Sequence, residues 1–326
     1  MRSDLKDLVV VCVDGGICSQ ISFVAFGLYL KSVLGDAVRV KYDLTWFDRF
    51  GCDNDGRLAR TWSVPLAFPG LKVTQASEDE IRVLSRRFAV RDLRSVCGMP
   101  LPAYLNGYPL EMRGSMNPSR SLVREFVPRS EFRPMLDEWS SCVLKRIESG
   151  PVCGIHVRRG DLAKGNPGFG SPTSVSYFLT SVHLVHGLDP EATFLFFSDE
   201  PDWVASEIVP RLPDWCRFEV LRGNGSDRGY LDLYLLSRCD YVVSSIGSFG
   251  HFAAVLSDKV KWLVMSRRRE NMLNSFEHCI YVNDDREVEL ARAKRMAEGA
   301  VRREPGVLTR LTGWLGARSV KVGERP

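Results

Sequence analysis

The chain has 326 residues, of which 44% are apolar and 26% charged, with 27 Gly and 17 Pro. That length is more than one hydrophobic core ordinarily organises and points to two domains, and the composition excludes a disordered, collagen-like or fibrous chain. The net charge of +4 is uneven: residues 286–326 carry ten Lys/Arg and five Glu, a balance of +5, which leaves 4 − 5 = −1 for the rest and excludes a broadly basic nucleic-acid-binding body.

No run reaches the roughly 20 apolar residues of a membrane span. The opening Met1-Arg2-Ser3-Asp4 leads into mixed charge instead of an apolar signal core, so no secretory leader is expected. Nine cysteines, an odd number without CxxC spacing, read as reduced thiols and not as a disulfide framework or a zinc cage. The expected location is the cytoplasm.

Leu8–Val13 is a short apolar run rich in β-branched residues, suited to a strand buried on both faces. Gly15-Gly16 breaks it, and Ile17, Ile21, Val24 and Leu28 then recur on one face of a helix. Val38–Leu44 reads as the next strand, which completes the opening of a βαβ unit. From about Trp46 to Pro134 the pattern weakens, and long loops with a few helices are expected there. Strands are then predicted at Val152–Val157, Thr193–Phe197, Phe218–Leu221, Tyr241–Val243 and Val260–Val264, with helices at Tyr177–Leu188 and Leu231–Ser237 between them. This alternation indicates a doubly wound parallel sheet. The chain is therefore expected to be α/β, with lobes at 1–150 and 151–285 and a basic helical tail at 286–326. That tail is a solvated face or a contact for an anionic membrane surface.

Ligands of doubly wound sheets bind outside the carboxyl ends of the strands. The residues that follow the predicted strands are His156-Val157-Arg158-Arg159-Gly160-Asp161, Ser198-Asp199-Glu200 and Ser244-Ser245-Ile246-Gly247-Ser248-Phe249. Guanidiniums match phosphate oxygens in pairs, and hydroxyls and helix-start amides add donors, so a phosphorylated ligand is indicated. Asp199 suits the donors of a base edge or a ribose, or a helix cap. Asp161 is a catalytic base, an N-cap or a partner of Arg159. Ser245 and Ser248 hold phosphate or cap the next helix. Adjacent Arg158 and Arg159 should point in opposite directions. Asp53-Asn54-Asp55 has the spacing of a metal-binding carboxylate pair, but its Gly-flanked setting favours a turn.

These segments together resemble glycosyltransferase family 11, the α-1,2-fucosyltransferases, between about residues 8 and 265. His156–Asp161 is similar to its H-x-R-R-x-D motif, Gly15–Gln20 to its opening G-G-L-G-N-Q and Ala103–Tyr108 to its Y-L-x-G-Y segment. Phe196–Glu200 resembles F-S-D-D/E. Asp232–Ser237 followed by Ser245–Ala254 resembles D-L-x-L-M-S and S-N-S-T-F-S-W-W-A-A. The chain departs from the pattern at Cys18, Ser19, Ile246, Gly247, His251 and Phe252, which leaves the acceptor glycan and the identity of the GDP-sugar open. The resemblance implies a GT-B architecture of two Rossmann-like lobes facing across a cleft. It implies inverting, metal-independent transfer of L-fucose from GDP-fucose to a galactose 2-hydroxyl, without a cofactor. Arg158, then Arg159, would meet the leaving phosphate. Ser245, Ser248 and the Phe249 amide would hold the diphosphate, His156 and Asp199 would orient the guanosine, and Ser198 belongs to the same donor-binding set. Asp14, Gly15, Gly16 and Gln20 would form a cleft loop, and Asp161 and Asp14 are the candidate bases. A bacterial type building a surface polysaccharide such as O-antigen is implied, with another GDP-sugar or a non-catalytic nucleotide- or glycan-binding role as alternatives.

Overall fold

The computed structural model describes residues 5–52, 59–90, 99–107, 118–163, 171–266, 276, 278–282, 288–291 and 321–322. The chain forms two compact units: Met1–Met135 with Gly225–Tyr230, and Leu136–Asn224 with Leu231–Pro326. The boundary falls at 135/136 and not at 150, because the helix Glu138–Glu148 packs with the second unit. Its Arg146 pairs with Glu219, Trp139 lies against Gly223, and Lys259 donates to the Ile147 carbonyl at 3.3 Å.

The first unit holds a four-stranded parallel sheet of β1 (Leu8–Cys12), β2 (Arg39–Asp43), β3 (Ala89–Val90) and β4 (Ala103–Leu105), in the order β2-β1-β4-β3. Leu8–Val11 are buried, as the apolar run requires. The helix Ile17–Leu34 follows the Gly turn, and its first half is enclosed on almost every side, including Ile17, Ile21, Val24 and Phe26. Over 18 residues it is apolar enough for a membrane span, and its burial explains that composition as a core helix. Gly27 in this helix is dictated by packing, since a Cβ there would lie 2.1 Å from the Tyr42 hydroxyl. Helices Thr45–Arg49, Val64–Ala67, Glu78–Arg87 and Pro118–Phe126 occupy the stretch where the pattern weakens. The third starts with a capping box in which Ser77 and Glu80 bond each other's backbone amides.

The second unit holds an eight-stranded sheet in the order β12-β11-β10-β9-β8-β5-β6-β7. Its strands are β5 (Val152–Val157), β6 (Thr193–Ser198), β7 (Phe218–Val220), β8 (Tyr241–Ser244), β9 (Trp262–Ser266), β10 (Cys279–Val282), β11 (Val288–Ala291) and β12 (Lys321–Val322). All neighbours run parallel except β10 and β11. Ile155, Phe194, Phe196, Val243 and Val264 form the core with Tyr177, Phe178 and Val182 of the helix Val175–Leu188. On β5, Gly154 admits the helix Gly229–Ser237, since a Cβ would lie 2.4 Å from Leu236. From β5 the chain runs to β6 and β7 on one side and then to β8 and β9 on the other. The topological switch point is therefore between β5 and β8, where such sheets bind ligands.

The expected helical tail lies mainly outside the described residues, and its described parts, 288–291 and 321–322, are strands. Asp53-Asn54-Asp55 lies wholly outside the described residues, as does Tyr108.

Candidate active site

The residues after β5 and β8 interlock at the switch point. The Arg158 amide donates to Ser245 Oγ at 2.9 Å, and the Ser245 amide donates to the His156 carbonyl at 3.0 Å. His156 stacks on Phe249 with centroids 4.6 Å apart, and its Nδ1 lies 3.3 Å from Ser245 Oγ. Burial first, and then the Arg158 guanidinium, lower the His156 pKa to about 3, so the ring is neutral at ordinary pH. Ser245 Oγ already accepts from Arg158. With Ser245 Oγ donating to Nδ1, the imidazole proton lies on Nε2, where it is a donor.

Arg158 makes a two-pronged contact with Asp161, Nε to Oδ1 at 3.0 Å and Nη2 to Oδ2 at 2.7 Å. This pairing fixes the plane of the guanidinium, and Asp161 pairs with Arg158 and not with Arg159. The other side of the head lies against Gly247, whose φ is +110° and whose added Cβ would sit 2.9 Å from Nη1. The missing side chain at 247, one of the departures from the family pattern, thus makes room for the arginine. Ile246, another departure, is buried, and its amide donates to Thr173 Oγ1 at 3.1 Å. Tyr177 OH lies 2.7 Å from the Ser244 carbonyl and steadies the end of β8. Thr173 and Tyr177 carry no motif; Tyr177 opens the predicted helix Tyr177–Leu188, and nothing in the sequence points to Thr173.

Arg159 diverges from Arg158, as the alternation of side chains requires. Its Nε donates to Glu200 at 3.1 Å, and its guanidinium lies 3.8 Å over the Trp203 ring. Asp199 accepts the Arg159 and Gly160 amides, both at 3.0 Å, and burial still holds its carboxyl above the usual range. Ser198 Oγ donates to the Val157 carbonyl at 2.8 Å and accepts the Glu200 amide at 3.0 Å. Ser248 begins the helix Phe249–Val255 without a side-chain cap. His156, Arg158, Asp161, Ser245, Gly247 and Phe249 are therefore brought together, with Ser198, Asp199 and Arg159 on the β6 side.

Asp14, Gly15, Gly16 and Gln20 belong to the first unit. Gly15 has φ +74°, and Gly16 starts the long helix. Gln20 is buried: its Nε2 donates to the Gly15 carbonyl at 3.0 Å and the Thr61 carbonyl at 2.8 Å, and its Oε1 accepts the Ser63 amide at 2.8 Å. Its role is to latch the turn to residues 61–63. Asp14 is half-buried, and burial raises its pKa. It makes no hydrogen bond or ion pair with any of the described residues. Asp43, at the end of β2, is fully engaged by the Thr45 amide at 2.9 Å and the Tyr104 hydroxyl at 2.6 Å.

A doubly wound sheet with a guanidinium, a neutral imidazole and hydroxyl and amide donors at its switch point defines an α/β protein with a crevice adapted to anions. A family model described as Glycosyl transferase family 11 matches residues 104–274, just over half of the 326, and the chain belongs to that family. It is similar to galactoside alpha-(1,2)-fucosyltransferase 1 of Leontocebus fuscicollis, 28% identical over 141 residues, which cover 40% of this chain and 38% of that protein. The same protein of Lagothrix lagotricha is also 28% identical, with 37% of its length covered. The chain thus spans less than two fifths of the length of these curated relatives. Among solved structures, the fucosyltransferase NodZ from Bradyrhizobium aligns over 77% of this chain and 93% of its own, with 13% identity and a TM-score of 0.45.

Proposed function

We propose that this chain transfers L-fucose from GDP-fucose to the 2-hydroxyl of a galactose in a glycan, with inversion and without a metal, on the two-unit GT-B plan. Family membership and the names of the relatives support the reaction class. The observation that carries the chemistry is Arg158, held in plane by Asp161 and seated against Gly247 at the switch point.

In the proposed step the acceptor oxygen bonds to the anomeric carbon as the bond from that carbon to the β-phosphate oxygen breaks. The electron pair leaves with GDP, and the acceptor proton passes to a carboxylate. Negative charge grows on the departing phosphate, so a fixed cation there stabilises the transition state more than the ground state. Arg158 supplies that cation. The Ser245 turn and the neutral His156 offer donors to the nucleotide, and Ser248, the Phe249 amide, Ser198, Asp199 and Arg159 complete the donor-side set. Asp161 is engaged with Arg158 in a way that suits orienting it. Asp14, half-buried and with no hydrogen bond or ion pair among the described residues, suits the proton transfer.

The test is GDP release from GDP-fucose with and without a galactose-terminated acceptor, in EDTA. Acceptor-dependent release that survives EDTA and falls on the order of 10²–10³-fold in Arg158→Ala is expected. Release that requires Mn²⁺ would overturn the metal-free step. Release from a different GDP-sugar alone would keep the scaffold and replace fucose.

A further inference from the structure

The helix Thr45–Arg49 leaves the carboxyl end of β2 and buries none of its residues. Trp46, Phe47 and Phe50 nevertheless gather there with Trp62. Ring centroids are 5.2 Å apart for Trp46–Phe47, 6.2 Å for Trp46–Phe50 and 6.0 Å for Phe47–Trp62. None of these rings joins the core of Leu5, Leu8, Val10, Ala76, Leu84 and Tyr104, and Phe50 is 66% exposed. Trp46, Phe47 and Trp62 are half-buried beside the exposed Phe50, and an exposed ring among aromatic neighbours is costly to leave in water and commonly marks a contact surface.

The group is pinned in place. The Gly51 carbonyl accepts the Arg60 amide at 2.7 Å, which sets residue 60 beside the end of the helix. The Gln20 amide grips Thr61 and Ser63 on one side and Gly15 on the other, so Trp62 is fixed to the turn that carries Asp14. Arg60 reaches over the same turn, with Nη1 3.3 Å from where a Gly16 side chain would begin.

We propose that Trp46, Phe50 and Trp62 form a stacking platform for a sugar ring of the acceptor glycan, at the carboxyl edge of the first sheet. The ligand class rests on the transferase reading above. A galactose ring suits such a surface. Its axial 4-hydroxyl leaves the opposite face a continuous patch of C–H groups, and polarised C–H groups are attracted to the electron-rich face of an aromatic ring. The hydroxyls at the ring's rim need charged or polar partners, and Arg60 and Asp14 are tied to the same turn. The platform supplies apolar contact, and the turn supplies direction.

The test is a titration of the full chain with N-acetyllactosamine and with methyl β-galactoside, in the presence of GDP, followed by calorimetry and tryptophan fluorescence. Saturable binding is expected, weakened about tenfold or more in Trp62→Ala and in Phe50→Ala and largely restored in Trp62→Phe, with GDP affinity retained. Phe50 is exposed, so its variant keeps the fold, and the thermal melt of each variant checks this. Glycan binding unchanged in both alanine variants overturns the platform, and so does the absence of saturable binding of either glycan to the wild type. If the wild type binds glycan but neither binds GDP nor releases it from GDP-fucose, the transferase reading fails while the platform stands.

Discussion

The two carboxyl edges use their acidic groups differently. At the β5–β8 edge Asp161 gives both oxygens to Arg158, and Asp199 gives both to backbone amides. Each carboxylate there holds another group in place. At the β1–β2 edge Asp43 does the same for Thr45 and Tyr104, but Asp14, two residues beyond β1, makes no hydrogen bond or ion pair with the described residues. A carboxylate whose lone pairs are committed is a poor proton acceptor. One that is half-buried and makes no hydrogen bond among the described residues keeps its lone pairs to offer. On the function proposed above, the difference separates groups that position from a group that takes a proton, and it can be broken by substitution.

Within this comparison the largest expected effect is at Asp14. Asp14→Asn keeps the shape and removes the base, so kcat with acceptor should fall on the order of 10²-fold while GDP affinity holds. An unchanged kcat would place the base elsewhere. Gly247→Ala comes next. A side chain at φ +110° is strained, and its Cβ would meet Arg158 Nη1, so a loss of about 1–3 kcal/mol of stability is expected by chemical denaturation. Turnover should fall with it, since the guanidinium must move. Asp161→Asn should cost less, on the order of tenfold in kcat, because Arg158 keeps its charge and loses only its clamp. A loss as large as that of Asp14→Asn would mean that Asp161 does more than position.

Much of the second unit was legible because its strands are long enough to show themselves. β5, β6 and β8 are continuous apolar runs that end in polar residues, and the site residues sit within a few positions of those ends. Their partnerships were less legible. Asp161 pairs with Arg158 at i,i+3 and not with Arg159, a choice set by the short helix Gly160–Ala163 and not by spacing alone. In the sequence Gly247 is only a departure from the family pattern, and its contact with Arg158 arises in the fold. In the first unit β3 and β4 have two and three residues, too few to display a period, so Tyr104 was not placed on a strand or against Asp43. The aromatic group around Trp46 was hidden for a related reason, since Phe47 and Trp62 meet through tertiary packing across a turn.

The smallest effect concerns His156, and its sign follows from burial. The imidazole is held neutral in the folded chain, with its pKa lowered to about 3 from an ordinary 6.5. Between those values the unfolded chain binds a proton that the folded chain refuses. Stability is therefore full above about pH 6.5 and is lost as pH falls toward 3, with a slope of at most about 1.4 kcal/mol per pH unit from this group. Urea midpoints for the wild type and His156→Gln, compared from about pH 7 down to about pH 5, should converge as the solution is acidified, because the glutamine variant has no proton to refuse there. Parallel curves would mean that His156 gains its proton within the fold. Nδ1 could then no longer accept from Ser245, and the donor-side geometry built on that contact would have to be revised.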